Sequence, residues 1–566
     1  MAGMNKAPAI IMLGQGSLAT AQRIQQCYPQ AVIHGLQGRV DSADRYYAVF
    51  GDTLRALYQQ DTPIIALCAA GIVIRTLAPL LSEKGVEPPV LAVAEDGSAV
   101  VPLLGGLGGV NVMARELGEA LGVNAAITTS GELRFGTCLL NPPEGYALAD
   151  LEQGKRFVSD LLAGETVRVE GDAPWLDLAQ LPASDNAQRT IHVGCARRPA
   201  KRDELLIHAR CVVVAIAVGE ADLLQQVRDS LQAAGIAEPA LACLLASEVE
   251  MAEPSLHEAA QALNVALRFA PAAESLQQML GAVLPQARIE SVGGLAVAIA
   301  AAPVEVEQLG HRRGRLAVIG LGPGAAELMV PAVKTELARA QDVLGYETYV
   351  RMAGPFRADQ VLHCTDNREE MQRARHAFEL AAQGRSVVVV SSGDPGVFAM
   401  AAAVLEALHE SSDPAWQRVE LQILPGVSAS LATAAQAGAP LGHDFCVMSL
   451  SDNLKPWSII EQRLDLAAQA DLVLAFYNPI SKARPHQLGQ ALEVVRRHRK
   501  AHTPVVLGRD IGRPGQTLRV VTLGELLPAM VDMRTMVLVG SSTTCTFPRV
   551  EGGEWVYTPR WYPVKP

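Results

Sequence analysis

Residues 387–400 read VVVVSSGDPGVFAM, four valines running directly into Ser-Ser-Gly-Asp-Pro-Gly. Four β-branched residues without polar alternation predict a strand buried on both faces, as at the inner positions of a parallel sheet. Gly393, Pro395 and Gly396 stop it, and VFAMAAAVLEALHE (397–410) has helical composition. Asp394 therefore falls on the turn where strand gives way to helix. Open α/β sheets meet their ligands at this end of the strands.

The same pattern recurs outward from this stretch. Strand-like runs are AIIML (9–13), PIIALCA (63–69), VLAVAE (90–95), VVVAIAV (212–218), RLAVIGLG (315–322), LVLAFY (472–477), VVLG (505–508) and MVLVG (536–540), with amphipathic stretches between them. The alternation predicts a multidomain α/β fold with largely parallel sheets. A chain of 566 residues is too long for one core. Two polar, turn-rich stretches, LPASDNAQRT (181–190) and EVEQLGHRRGR (305–315), read as linkers and divide it into domains 1–183, 190–307 and 314–566.

Composition narrows the function. With 49% hydrophobic and 19% charged residues, the chain is that of a globular protein. No apolar run approaches the roughly 20 residues of a membrane helix. The opening MAGMNKAPAIIMLGQG has too short an apolar core for a signal peptide, so a cytoplasmic location without a membrane partner is expected. A net charge of −11 disfavours nucleic acid as a partner. The nine cysteines show no C-x-x-C and no zinc spacing, so no metal site is expected. Basic residues do gather locally, Lys482 and Arg484 in SKARP, Arg509 and Arg513 in GRDIGRPG. Such groups form either a solvated face or a seat for a small anion.

In RLAVIGLGPGAAELM (315–329), read as strand, glycine turn and helix start, Gly320, Gly322 and Ala325 fit G-x-G-x-x-A. A dinucleotide site also needs an acidic residue at the far end of the next strand. Asp342 precedes that strand, which leaves Glu347. Pro323 removes a backbone N–H from the loop that should cradle pyrophosphate. A turn with fewer free amides suits an adenosyl ligand without phosphates better than NAD. From this motif alone, a nicotinamide site, another nucleoside site and a structural turn all stay open.

Seven segments taken together go further: GLGPG (320–324), GYETYV (345–350), SSGDPGVFAMA (391–401), LPGVSAS (424–430), GHDFCVMSLSDNLKPW (442–457), YNPISKARP (477–485) and GRDIGRPGQ (508–516). The series resembles the tetrapyrrole methylases that use S-adenosylmethionine and, within them, the precorrin-3B C17-methyltransferases of cobalamin biosynthesis. The resemblance implies two α/β lobes, a cofactor held between them and released as S-adenosylhomocysteine, and a homodimer. It places Pro323, Ser392, Gly393, Asp394, Val397, Ser428 and Ala429 against the cofactor, with Tyr477 and Asn478 contributed by the second lobe. Asp394 also reads as an Asx-turn acceptor that steadies its own loop. The implied reaction methylates precorrin-3B at C17 and contracts the ring to precorrin-4, which requires a proton to leave a hydroxyl. His443 and Asp444 of LGHDF are the titratable pair expected to serve as acid or base. Lys482, Arg484, Arg509 and Arg513 are candidates for holding the substrate's carboxylates, Arg being the better bidentate partner. Cobalt-precorrin-3 is the alternative substrate. Val330 stands where the family commonly has Thr, which removes a hydroxyl suited to capping a helix.

The N-terminal half, in residues 63–130 and again in 191–206 and 247–269, resembles the cobalt-precorrin-5A hydrolases, which open a δ-lactone and release acetaldehyde. Arg75, Lys84, Glu95 and Asn111 stand at matching positions. Where that family reads S-G-H-x-G-G-A-N, this chain reads GGLGGVN (105–111), one residue shorter and without the histidine. Lactone hydrolysis, with Glu95 or a water on Asn111 replacing the imidazole, and a non-catalytic role in holding a corrinoid are the two readings.

Overall fold

Unbroken apolar runs become inner strands throughout the computed structural model, which describes residues 7–81, 87–219, 222–357, 359–366, 369–481 and 483–562. Two compact units form: Met1–Arg313 with Arg357–Asp359, and Gly314–Phe356 with Gln360–Pro566.

In the first unit, β1 (Ala9–Met12), β2 (Val32–Leu36), β3 (Arg45–Tyr47), β4 (Ile64–Leu67), β5 (Val90–Val93) and β6 (Val100–Leu104) make a sheet of order β3-β2-β1-β4-β5-β6. All neighbours are parallel except β5 and β6. Ile10 and Met12 face the core under helices Leu18–Cys27 and Val110–Leu121, and Ile11 faces the one under helices Phe50–Gln59 and Ala70–Leu77. This is why AIIM carries no polar alternation.

Next come β7 (Tyr146–Leu148), β8 (Val167–Glu170), β9 (Arg189–Val193) and β10 (Glu204–Ala209), ordered β7-β10-β9-β8. They are followed by β11 (Val212–Ala215), β12 (Leu241–Ser247), β13 (Ala266–Ala270), β14 (Arg288–Val292) and β15 (Leu295–Ile299), ordered β13-β12-β11-β15-β14. One apolar core, from Phe135 to Val297, joins both sheets. The boundary expected between 183 and 190 is thereby corrected, because β8 before it pairs with β9 after it and β7 pairs with β10. The polar run is a crossover pinned to the sheet, with Val167 N donating to Pro182 O at 2.9 Å and Ser184 N to Val167 O at 3.1 Å. Its polarity reflects exposure. The charged stretch after Glu305 is likewise fastened down: the buried Arg268 donates to the carbonyls of Glu307, Leu309 and Gly310 at 2.7 to 2.9 Å.

The second unit has two lobes. In the first, β16 (Arg315–Gly320), β17 (Asp342–Tyr346), β18 (Val361–Thr365), β19 (Ser386–Ser391) and β20 (Glu420–Leu424) form an all-parallel sheet of order β18-β17-β19-β16-β20. The four valines are central, Val387 and Val389 packing into one core and Val388 and Val390 into the other. In the second lobe, β21 (Gly438–Ala439) precedes β22 (Phe445–Ser449), β23 (Val473–Tyr477), β24 (Pro504–Arg509), β25 (Thr517–Thr522) and β26 (Thr535–Val539), the last five forming a sheet of order β22-β23-β26-β24-β25. Only β22 and β23 pair in parallel. The parallel expectation gives way here because β25 returns directly on β24 and β26, running the same way as β25, inserts between β24 and β23, so both lie antiparallel to their neighbours.

Val330 is the N-cap of helix Pro331–Arg339 and supplies no side-chain acceptor. Val330→Thr keeps the shape and adds one. It is expected to raise the stability of this unit by about 0.5–1 kcal/mol in urea unfolding, and an unchanged or lower midpoint would refute a capping defect.

Candidate active site

The carboxyl ends of β16, β19 and β20 converge, and glycine makes the approach possible. A Cβ on Gly426 would lie 2.1 Å from Gly393 O and 2.7 Å from Gly320 O. Gly322 and Gly393 exchange both backbone hydrogen bonds, at 3.1 and 2.8 Å, which ties the GLGPG loop to the GDP loop. Gly393 does so at φ +71°, a conformation that costs glycine nothing. Asp394 completes the tie: one carboxylate oxygen accepts from Gly396 N at 2.8 Å and the other from Gly426 N at 3.1 Å. The Asx turn expected of this residue is present, and the same carboxylate also clamps the loop after β20.

The second lobe reaches this mouth from its own strand ends. Arg513 donates from Nε to Pro323 O at 2.9 Å and from Nη2 to Ser392 Oγ at 3.2 Å. Ser428 caps helix Ala429–Ala437. Tyr477 OH accepts from Ser430 N at 3.1 Å and lies 3.0 Å from Ser430 Oγ. Asn478 donates to Ser449 Oγ at 3.1 Å. Val397 N turns back to Asp394 O at 3.2 Å. All the cofactor candidates therefore belong to one cluster. Phe398, Asn478 and Asp510, none of them glycine, sit beside it with φ of 50 to 53°. For an aromatic residue this is a strained backbone, a feature that gathers at functional sites.

Other expectations are corrected. His443 and Asp444 precede β22, whereas Ser449 at its far end meets Asn478. Five residues of strand, roughly 17 Å, separate the pair from the cluster. The His443 ring instead lies 6.0 Å from that of Tyr562, and Nδ1 accepts from Asp444 N. Their place in sequence gave no sign of this, because both ends of a strand are equally near it in number. Arg509 is bound to Asp532 at 2.8 Å and Asp510 at 2.9 Å, so its charge is already neutralised. Arg513 faces the cofactor loops, as described above. Arg484 keeps a buried Nη1 without a hydrogen-bond partner among the described residues, and Lys482 lies outside them.

The dinucleotide reading of GLGPGA fails on geometry. After the turn comes a short 3-10 segment, Ala326–Leu328, and the helix starts only at Pro331, so no helix N-terminus addresses the loop. Asp342 begins β17, fully buried, and pairs with His363 at 2.9 Å and Arg385 at 2.5 Å, a structural cluster at the amino end of the sheet. A cavity of about 600 Å³ between helix Glu347–Ala353 and β18 is lined by Glu347, whose carboxylate is paired with Arg351, and by none of the S-adenosylmethionine or substrate candidates.

In the first unit, Glu95 follows β5 and its carboxylate lies over Gly16, which follows β1, so both are at the carboxyl ends of the strands. The GGLGGVN turn is at the opposite end, since β6 runs antiparallel to β5, and Gly105 packs on the backbone of Pro88 and Pro89. Asn111 donates to Glu132 at 2.6 Å and to Thr129 at 3.0 Å, which leaves its amide nitrogen holding structure. Glu95 and Asn111 therefore do not share a site. Arg75 is exposed on helix Ala70–Leu77, and Lys84 lies outside the described residues. Among the described residues no helix is long and apolar enough to cross a membrane.

Comparison with known proteins matches residues 315–527 to the tetrapyrrole (corrin/porphyrin) methylases and residues 52–132 to the family described as cobalamin synthesis G N-terminal. A precorrin-3B C(17)-methyltransferase of Sinorhizobium sp is 52% identical over 250 residues, covering 44% of this chain and 97% of the relative. The cobalamin biosynthesis protein CobIJ of Mycobacterium bovis is 48% identical over 262 residues, 45% of this chain and 50% of that protein. A probable cobalt-factor III C(17)-methyltransferase of Salmonella typhimurium is 39% identical over 247 residues, 44% of this chain and 99% of the relative. With a relative matched over nearly its whole length and the GDP, GLGPG and PGVSA loops joined at one mouth, the chain belongs to the tetrapyrrole methylases and is a methyltransferase.

Proposed function

We propose that the second unit transfers a methyl group from S-adenosylmethionine to C17 of precorrin-3B, with ring contraction to precorrin-4. The observation that carries this reading is the Asp394 clamp, which joins the loops after β19 and β20 where Arg513 and Tyr477 arrive from the other lobe. The donor set fits an adenosyl ligand without phosphates. Pro323 has no N–H, and the amides of Gly322, Gly393, Gly396 and Gly426 are all engaged within the protein. When bound, the cofactor supplies an electrophilic methyl group.

The chain's own contribution is placement. Methyl transfer needs the carbon in line with the sulfonium, and fixed loops supply much of that advantage. Gly393 lets the ligand approach the backbone, Ser428 and Ala429 present the start of a helix, and Tyr477 and Asn478 are held rigid by Ser430 and Ser449. Arg484, with its unpartnered buried Nη1, remains a substrate-carboxylate candidate. Residues 314–566 form the catalytic domain in this reading, and a homodimer through it is the expected assembly. The test incubates the protein with S-adenosylmethionine and either metal-free or cobalt-loaded precorrin intermediates and weighs the products. Methylation of one and not the other names the substrate, and methylation of neither sinks the reading.

For the first unit we propose a corrinoid-holding role without lactone hydrolysis. Gly105 and Gly108 pack against residues 87–89, the amide nitrogen of Asn111 is spent on Thr129 and Glu132, and Glu95 stands at the other end of the sheet from this turn. Acetaldehyde released from a cobalt-precorrin-5A-type lactone would overturn this.

A further inference from the structure

A cavity of about 380 Å³ opens beside the cofactor cluster in the second unit. Its walls include Phe398, Met448, Ser449, Lys455, Ile460 and Arg463. Two of these link it to the cluster already described: Ser449 accepts from Asn478, and the Phe398 ring lies 5.4 Å from that of Tyr477. The floor is β22, an edge strand, and one side is helix Trp457–Gln469.

The chemistry of this cavity is an apolar wall with two uncompensated cations. Phe398 is half exposed and held at φ +53°, a conformation that a folded chain rarely imposes on an aromatic residue without use. Lys455 Nζ stands 5.9 Å from its ring centroid. Arg463 is close enough to Lys455 that, after burial itself, it helps hold the lysine's pKa below its ordinary value. Neither cation takes part in an ion pair among the described residues. The arginines near the cofactor loops differ, for Arg509 and Arg534 are bound to Asp510 and Asp532, and Arg513 to Pro323 and Ser392. Two like charges held near one another repel, and only Lys455 has the Phe398 ring to offset this, so an anion with a flat apolar body completes the arrangement.

We propose that Phe398, Lys455 and Arg463 form the seat for one edge of the macrocycle, the ring face lying on Phe398 and two side-chain carboxylates reaching Lys455 and Arg463. The assignment rests on the methyltransferase reading and replaces Arg509 and Arg513 as the substrate's carboxylate anchors. It also orients the substrate, because two fixed cations on one wall accept only neighbouring carboxylates.

The test titrates the full chain with uroporphyrin III, a macrocycle bearing carboxylates around its rim, followed by absorbance, alongside calorimetry with S-adenosylhomocysteine. Each lost charge-assisted contact is worth about tenfold in affinity. The Lys455→Gln, Arg463→Gln double variant should bind porphyrin about 100-fold more weakly and S-adenosylhomocysteine as the parent does, which also shows that it is folded. Arg463→Glu should lose more than Arg463→Gln, since it places a carboxylate against a carboxylate. Undiminished porphyrin affinity in the double variant overturns the seat while leaving the methyltransferase reading intact. Failure of the parent chain to bind S-adenosylhomocysteine overturns both.

Discussion

Asp394→Ala is expected to lower the affinity for S-adenosylhomocysteine by 100-fold or more, a loss of about 2.7 kcal/mol, in calorimetry on the full chain. Each of its two carboxylate oxygens accepts a backbone N–H, and such charge-assisted bonds are worth about 1.5–3 kcal/mol apiece. Their removal frees the loops after β19 and β20 from one another at the mouth proposed for the cofactor. The strands behind them keep their own ladders, so the unfolding midpoint should move less than the affinity does. Asp394→Asn sharpens the result. It keeps one acceptor for Gly396 but turns an amide donor toward the N–H of Gly426, so it should behave much more like alanine than its size implies. Unchanged affinity in both variants would leave Asp394 as a local turn acceptor and nothing more.

Arg499→Ala is expected to destabilise the second unit by about 3–5 kcal/mol. Its guanidinium is almost wholly buried and bonds Ala468 O at 2.5 Å, Leu472 O at 3.0 Å and Asp471 at 3.0 Å. Burial lowers its pKa, which Asp471 partly offsets, yet the group stays charged at any pH of interest. Its loss strands carbonyls at the end of helix Trp457–Gln469 and leaves a carboxylate without its cation. Thermal unfolding should show a midpoint lower by roughly 10 °C. A change under 1 kcal/mol would mean that water takes over the vacated carbonyls.

The fold was legible where burial writes itself into composition. Val387–Val390 and Ala9–Met12 are unalternated because each meets two cores, and GDP and GLGPG are glycine-rich because three loops nearly touch. What stayed hidden depends on side-chain partners distant in sequence. Nothing in GRDIGRPG shows that Arg509 is engaged by Asp532, and nothing in LGHDF shows which end of a strand it occupies. The stretch 181–190 reads as a linker because sheet-edge crossovers and linkers are both polar. Nothing in the sequence marks Phe398, because a left-handed backbone at an aromatic residue leaves no sign in composition. Lys455 lay in plain view within SDNLKPW, but only the cavity shows what it faces.

The mutual hydrogen bonds of Gly322 and Gly393 have a bearing on competition inside a cell. Nucleoside triphosphates and dinucleotides share the adenosyl group of this enzyme's cofactor, and their phosphates are what they add to it. A phosphate at this mouth finds Pro323 without a donor and the amides of Gly322, Gly393, Gly396 and Gly426 already facing protein oxygens. It must also approach the carboxylate of Asp394. In the site proposed for the cofactor, the rival ligands would give up water around two or more charges and receive little in return, so discrimination against them would come from withheld donors.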